Sequence, residues 1–190
     1  PMRGRDSSCP RRALESLPMP NAKKTLRRAG PARRNPESLN PPPFRRVDWH
    51  TYFMQIARQV STRSTCDRRA VGAVIVRGKM ILSTGYNGSI RGLPHCHEIG
   101  CDMENGHCVA TIHAEANAIL QSARNGVDID ESEIYTTASP CWHCFKLIAN
   151  AGIRTIYSVD DYPDRRTPAT ARKAGIRMVR LRSPDLSPTR

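Results

Sequence analysis

The chain has 190 residues and a mass of 21.2 kDa, which suits one domain with some surplus. No apolar run approaches the roughly 18 residues that a membrane-spanning helix needs, and no charged-then-apolar leader opens the sequence, so a cytoplasmic protein with no membrane partner is expected. Lys+Arg 30 against Asp+Glu 17 gives a net charge of +13 and an isoelectric point of about 10.1, a balance that raises nucleic acid as a partner.

The charge is concentrated at one end. Residues 1–46 carry 12 Lys/Arg, 3 Asp/Glu and 9 of the 15 prolines, a net of +9, which leaves +4 on the other 144 residues. High charge with few apolar residues cannot offset the entropy of ordering. Residues 1–46 are therefore expected to form a disordered extension, and any nucleic-acid contact is expected there. Order is expected from Asp48, the N-cap of a helix with Trp49, Phe53, Ile56 and Val60 on one face. The apolar run 70–76 predicts a central strand, Arg77-Gly78-Lys79 a turn, and 80–85 its hairpin partner. Residues 86–110, rich in Gly, Cys and His, predict a loop. A helix is predicted over 112–124, a strand over 133–137, a helix over 140–150 capped by Ser139 with Pro140 in its first turn, and a strand over 153–159. Thr167 is the expected cap of a short helix over 168–174, and a strand over 176–181 precedes a tail at 183–190. One hairpin followed by alternating helices and strands implies an α/β fold, a three-layer α/β/α sandwich on a five-stranded mixed sheet, in a domain spanning 47–182.

Seven cysteines without a secretory leader favour metal ligation over a disulfide framework. Two stretches, His113-Ala114-Glu115 and Pro140-Cys141-Trp142-His143-Cys144, each open a predicted helix. Cys141 and Cys144 share one helical face near the positive end of the helix dipole, which favours thiolate and hence metal binding. His113 supplies a third ligand. Three ligands leave one tetrahedral position open, the arrangement of catalytic rather than structural zinc. Glu115 is then placed to take a proton from a water whose pKa the zinc lowers from about 15.7 toward about 7. A closed structural site would need His143 as fourth ligand, but in a helix it points away from the cysteine face. A redox Cys-x-x-Cys pair would leave Glu115 without a task. His-x-Glu with Pro-Cys-x-x-Cys is the signature of zinc-dependent nucleobase deaminases.

Together with Val71-Gly-Ala-Val74 and Gly85-Tyr86-Asn87-Gly88, these motifs resemble the deoxycytidylate (dCMP) deaminase family of the cytidine deaminase-like superfamily, which also holds late-competence deaminase-like proteins. The resemblance runs from about Trp49 to Leu181. It implies hydrolysis of dCMP to dUMP and ammonia, with Zn2+ on His113, Cys141 and Cys144 and with Glu115 as the proton shuttle. It further implies Asn87 on the deoxyribose, Arg68 on the 5′-phosphate with Arg91 a weaker candidate, and Tyr162 near the nucleotide. On residue chemistry alone Asn87 and Tyr162 are turn residues and Arg68 is a solvated charge.

A second, structural zinc is implied at Cys66, Cys96, His107 and Cys108, with Cys101 the rival of Cys108; the alternative is a set of reduced thiols without metal. Homo-oligomers, often hexamers, and feedback by dCTP and dTTP with Mg2+ at Gly85, Tyr86, Asn87 and Gly88 also belong to the resemblance. Two other readings stay open. A deaminase acting on tRNA or another polynucleotide is favoured by the basic segment and opposed by the Gly-Tyr-Asn-Gly stretch. A non-enzymatic zinc protein of DNA uptake is opposed by the intact Glu115.

Overall fold

Asp48 begins the first helix by taking up two amides that the helix itself cannot satisfy. Its carboxylate accepts from the backbone N–H groups of His50 and Thr51 at 2.9 and 3.0 Å. The computed structural model describes residues 46–104, 107–161 and 164–182. The expected disorder of residues 1–45, the tail at 183–190 and the expected nucleotide contact Tyr162 lie outside the described residues.

Helix α1 (Trp49–Ser61) buries Thr51, Phe53, Met54 and Ala57. Ile56 and Val60 pack at the margin of the same cluster. Trp49, expected on the inner face, is 49% exposed, with the Lys79 ammonium 5.3 Å from its ring centre. The buried stripe is thus rotated from the expected one: a Cβ on Gly72 of the adjoining strand would lie 2.0 Å from Ala57 O, so the helix is seated against the sheet through its Ala57 face.

Strands β1 (Gly72–Arg77) and β2 (Met80–Tyr86) form the expected antiparallel hairpin. Its turn needs left-handed backbone at both Gly78 (φ 56°) and Lys79 (φ 68°), as two-residue hairpin loops do. The segment expected as loop carries short pieces: β3 (Gly88–Ser89), α2 (Cys96–Ile99), β4 (Met103–Glu104), β5 (His107–Cys108) and β6 (Thr111–Ile112), with β3 pairing β6 and β4 pairing β5. Then follow α3 (Ala114–Arg124), β7 (Glu133–Ala138), α4 (Trp142–Asn150), β8 (Thr155–Asp160), α5 (Arg166–Lys173) and β9 (Arg177–Arg180).

The main sheet runs β2-β1-β7-β8-β9, antiparallel up to β7 and parallel beyond it. Alternate residues divide the core between its faces. Val74, Val76, Tyr135 and Tyr157 meet α1. Ala73, Ile75, Ile134 and Ile156 meet α3, α4 and α5. This is the three-layer α/β/α sandwich on a five-stranded mixed sheet. No helix among the described residues is long and apolar enough to cross a membrane.

Two helix starts differ from expectation. Helix α4 starts at Trp142 with Cys141 as its cap residue, so neither Ser139 nor Pro140 caps it or occupies its first turn. Helix α5 starts at Arg166, whose amide donates to Asp164 Oδ1 at 2.8 Å. That carboxylate does the capping assigned to Thr167, which is instead buried inside the helix.

The contact that positions the site is backbone on backbone. A Cβ on Gly85 would lie 2.3 Å from Ala114 O and 2.4 Å from Ala118 N, so only glycine lets α3 press onto β2. The buried Ser83 hydroxyl donates to Ala118 O at 2.6 Å across the same seam. Gly85→Ala should push α3 outward and destabilise the fold by about 1–3 kcal/mol, the usual range for overpacking. A lowered urea midpoint is the expected readout; an unchanged midpoint would contradict this packing.

Candidate active site

Two helix N-termini converge at one end of the sheet. His113 and Cys141 are the cap residues of α3 and α4, both with extended backbone (φ −69°, ψ 155° and φ −69°, ψ 169°). Cys144 follows Cys141 one turn later in α4. The His113 Nδ1 atom lies 3.5 Å from Cys141 Sγ and 3.4 Å from Cys144 Sγ, and the three donor atoms all fall within 4.8 Å of one another.

These spacings fit a metal ion. Zinc bonds of about 2.05 Å to nitrogen and about 2.3 Å to sulfur, at a tetrahedral angle, require an N···S separation of about 3.5 Å. Both cysteines are buried and His113 is half-buried. The electrostatics of the donor set call for a cation. Hydrogen bonding from Cys144, then from His113, lowers the Cys141 thiol to about 3, while the neighbouring Cys141 sulfur and burial push Cys144 far up. One thiolate therefore forms readily, and a second forms only against it unless positive charge lies between them. The two helix dipoles add partial positive charge at the same point.

Glu115 stands in the first turn of α3 and is 4% exposed. Burial pushes its carboxyl above the ordinary range, and its own backbone amide and His113 pull the other way less strongly. A buried carboxyl group with a raised pKa is of the kind that can accept and return a proton.

A cavity of about 310 Å3 opens here, with His113, Glu115 and Cys141 in its wall together with Asn87, Arg68 and Arg69. Arg68 donates to the Met103 sulfur at 3.1 Å. Arg91 is exposed and is not among the cavity's lining residues. Asn87 lines the cavity, but its side chain is engaged: Oδ1 accepts from Val71 N and Nδ2 donates to Arg69 O, both at 2.8 Å. Its backbone bonds to Thr65 and Val71 as well. Of the stretch expected to hold a regulatory nucleotide, Tyr86 is exposed and the two glycines are closely packed. Gly85 abuts α3, and Gly88 faces the Tyr86 ring and Thr65. The geometry gives Gly85, Asn87 and Gly88 the task of fixing α3 and the 64–71 segment.

Of the implied second cluster, Cys96, Cys101 and Cys108 bring their sulfurs within 4.8 Å of one another. The Cys96–Cys108 separation is 3.8 Å, which matches the roughly 3.8 Å between two sulfurs on one tetrahedral zinc. Cys101 thus joins Cys108 rather than competing with it: β4 and β5 pair Met103 with Cys108, and Cys101 lies two residues before Met103. Burial and Cys108 push Cys101 up to about 12. Cys66 is outside that group of three, but it lines the cavity beside Cys108. The His107 side chain lies outside the described residues. Arg69 was not singled out from the sequence. Its only signal there is adjacency to Arg68, yet it lines the cavity and pairs with Asp160 at 3.1 Å.

Residues 47–159 match the family model for the cytidine and deoxycytidylate deaminase zinc-binding region. ComE operon protein 2 of Bacillus subtilis (strain 168) is 51% identical over 117 residues, covering 62% of this chain and 62% of that protein. The deoxycytidylate deaminase of Schizosaccharomyces pombe (strain 972 / ATCC 24843) is 35% identical over 159 residues, covering 78% of this chain and 48% of that protein. The chain thus spans between about half and under two-thirds of the length of these curated relatives. The crystal structure of dCMP deaminase from the cyanophage S-TIM5 in complex with dCMP and dUMP superposes with a TM-score of 0.62 at 32% identity, covering 68% of this chain and 94% of that one.

The buried carboxyl group has a measurable consequence for stability. Its raised pKa means that ionising Glu115 in the folded chain opposes folding. That penalty is absent below the ordinary glutamate pKa of about 4.3 and grows as pH rises from there through the folded value. Metal-free Glu115→Gln should therefore melt above metal-free wild type near neutral pH, with the gap closing toward about pH 4. Equal melting temperatures at neutral pH would contradict the buried placement.

Proposed function

Since the chain belongs to the cytidine and deoxycytidylate deaminase family, we propose that it hydrolyses dCMP to dUMP and ammonia. The observation that carries this reading is a buried carboxyl group, Glu115, two residues from a His113/Cys141/Cys144 donor set that fits zinc, at a cavity lined by Arg68 and Arg69. A zinc ion held by those three residues supplies Lewis acidity that makes water a nucleophile near neutral pH. Glu115 accepts a proton from the attacking water at a carboxylate oxygen, delivers it to the pyrimidine N3, and assists protonation of the departing amino group. Water plus dCMP then balances to dUMP plus ammonia. The cavity's volume, about 310 Å3, is at the small end of the range for ligand sites and suits one nucleotide. Arg68 offers a planar cation to the 5′-phosphate. In this reading Asn87 acts on the sugar mainly through the segment it holds.

The reading extends to a second metal ion on Cys96, Cys101 and Cys108, with Cys66 nearby. Such an ion would tie Cys96 and Cys101 to the cavity, since Cys66 and Cys108 belong to its wall. The relative at 51% identity, ComE operon protein 2, is named for an operon and not for a reaction, which admits one other reading, a zinc-binding protein without turnover; the presence of Glu115 weighs against it.

The test is ammonia release from dCMP, CMP, deoxycytidine, dCTP and a tRNA. Preferential release from dCMP is expected. Glu115→Gln should lower turnover by about 10²- to 10⁴-fold, the usual contribution of a general acid–base group, with zinc content retained. Zinc retention without ammonia from any pyrimidine nucleotide would instead support the non-enzymatic reading. Metal analysis should give two zincs per wild-type chain and one for Cys101→Ser; a single zinc in the wild type would remove the second site.

A further inference from the structure

Arg68 and Arg69 are adjacent in sequence, yet their guanidinium groups go to different places. Arg68 reaches the Met103 sulfur, while Arg69 crosses to Asp160, the last residue of β8. The path of that second contact matters. Gly72 N donates to Thr137 Oγ1 at 3.2 Å, so the entry of β1 lies beside the end of β7. On the other side of β7, Ala138 pairs with Asp160, and Ser139 N donates to Asp160 O at 2.8 Å. The Arg69–Asp160 pair therefore bridges over the chain that leads from β7 into Cys141. It does so at the rim of the cavity that Arg69 and Ser139 both line.

The two ends of this bridge are held differently. The backbone of Arg69 is clamped: its carbonyl accepts from Asn87 Nδ2, and Val71, two residues on, exchanges hydrogen bonds with both the side chain and the backbone of Asn87. The side-chain contact is loosely held, with Arg69 47% and Asp160 63% exposed, and ion pairs so placed contribute little. A clamped backbone under an easily released guanidinium is a cation parked on a weak counter-ion.

We propose that Arg69 is a specificity-determining residue for the phosphorylated form of the ligand, its guanidinium passing from Asp160 to the nucleotide 5′-phosphate. This inference rests on the reading of the site as a nucleotide site. A phosphate dianion offers more charge than a carboxylate and three acceptor oxygens to the guanidinium fork, so it displaces Asp160. A nucleoside offers no anion and leaves the pair in place. Arg69 thereby raises affinity for the monophosphate and not for the nucleoside, in addition to whatever Arg68 supplies.

The test is calorimetric binding of dUMP and deoxyuridine to the zinc-loaded full chain, with ammonia release from dCMP measured in parallel. Wild type should prefer dUMP. Arg69→Ala should shrink that preference by about tenfold or more while deoxyuridine binding persists. Arg69→Lys should restore it in part, and Asp160→Asn should widen it. An undiminished preference in Arg69→Ala, an equal loss for both ligands, or no preference in wild type would overturn the inference. An Arg69-dependent preference without ammonia release would uphold it and overturn the reaction; ammonia release with a preference indifferent to Arg69 would do the reverse.

Discussion

Two thiols and an imidazole, packed within 3.5 Å of one another along each histidine–cysteine edge and mostly removed from water, form a donor set with the spacing and chemistry that fit a zinc ion. The rest of the molecule is arranged around that constraint. Cap residues, not helix interiors, supply His113 and Cys141. At a cap the backbone is extended, so the side chain reaches forward past the helix end while the helix dipole still bears on it. Gly85 lets α3 approach the sheet closely. The parallel pairing of β7 with β8 fixes the strand end from which α4 departs.

The fold was largely legible because its elements carry local signals. Asp48 has a capping side chain, the 70–76 run is continuously apolar, and helices and strands alternate after it. The departures have physical causes. Periodicity places Trp49 inward, but α1 sits against Gly72 through its Ala57 face, which leaves Trp49 half exposed. Ser139 and Pro140 form an ordinary helix-start signal, yet Cys141 takes the cap position, which the thiol needs in order to meet His113. Thr167 was displaced as a cap by Asp164, whose carboxylate outcompetes a hydroxyl for a backbone N–H.

At the candidate site, residues whose role is chemical were easier to read than those whose role is spatial. His113, Glu115, Cys141 and Cys144 announce themselves by type and spacing. Cys101 does not, because its place beside Cys96 and Cys108 depends on the pairing of β4 with β5 inside a segment without periodicity. Asn87 is a turn residue by its type and a sugar ligand only by the family resemblance, and its five hydrogen bonds run to residues 64–71. Arg69 looks like solvated charge in sequence and becomes part of a cavity rim only when β1, β7 and β8 are laid side by side.

An anomalous-scattering map at the zinc edge, from crystals of the zinc-loaded chain, bears most directly on the donor set. The expected map has a peak bonded to His113 Nδ1, Cys141 Sγ and Cys144 Sγ, with no fourth side chain and with the Glu115 carboxylate facing the remaining position without coordinating. A peak closed by a fourth protein ligand, or a Glu115 turned away from it, would contradict a catalytic metal at this site.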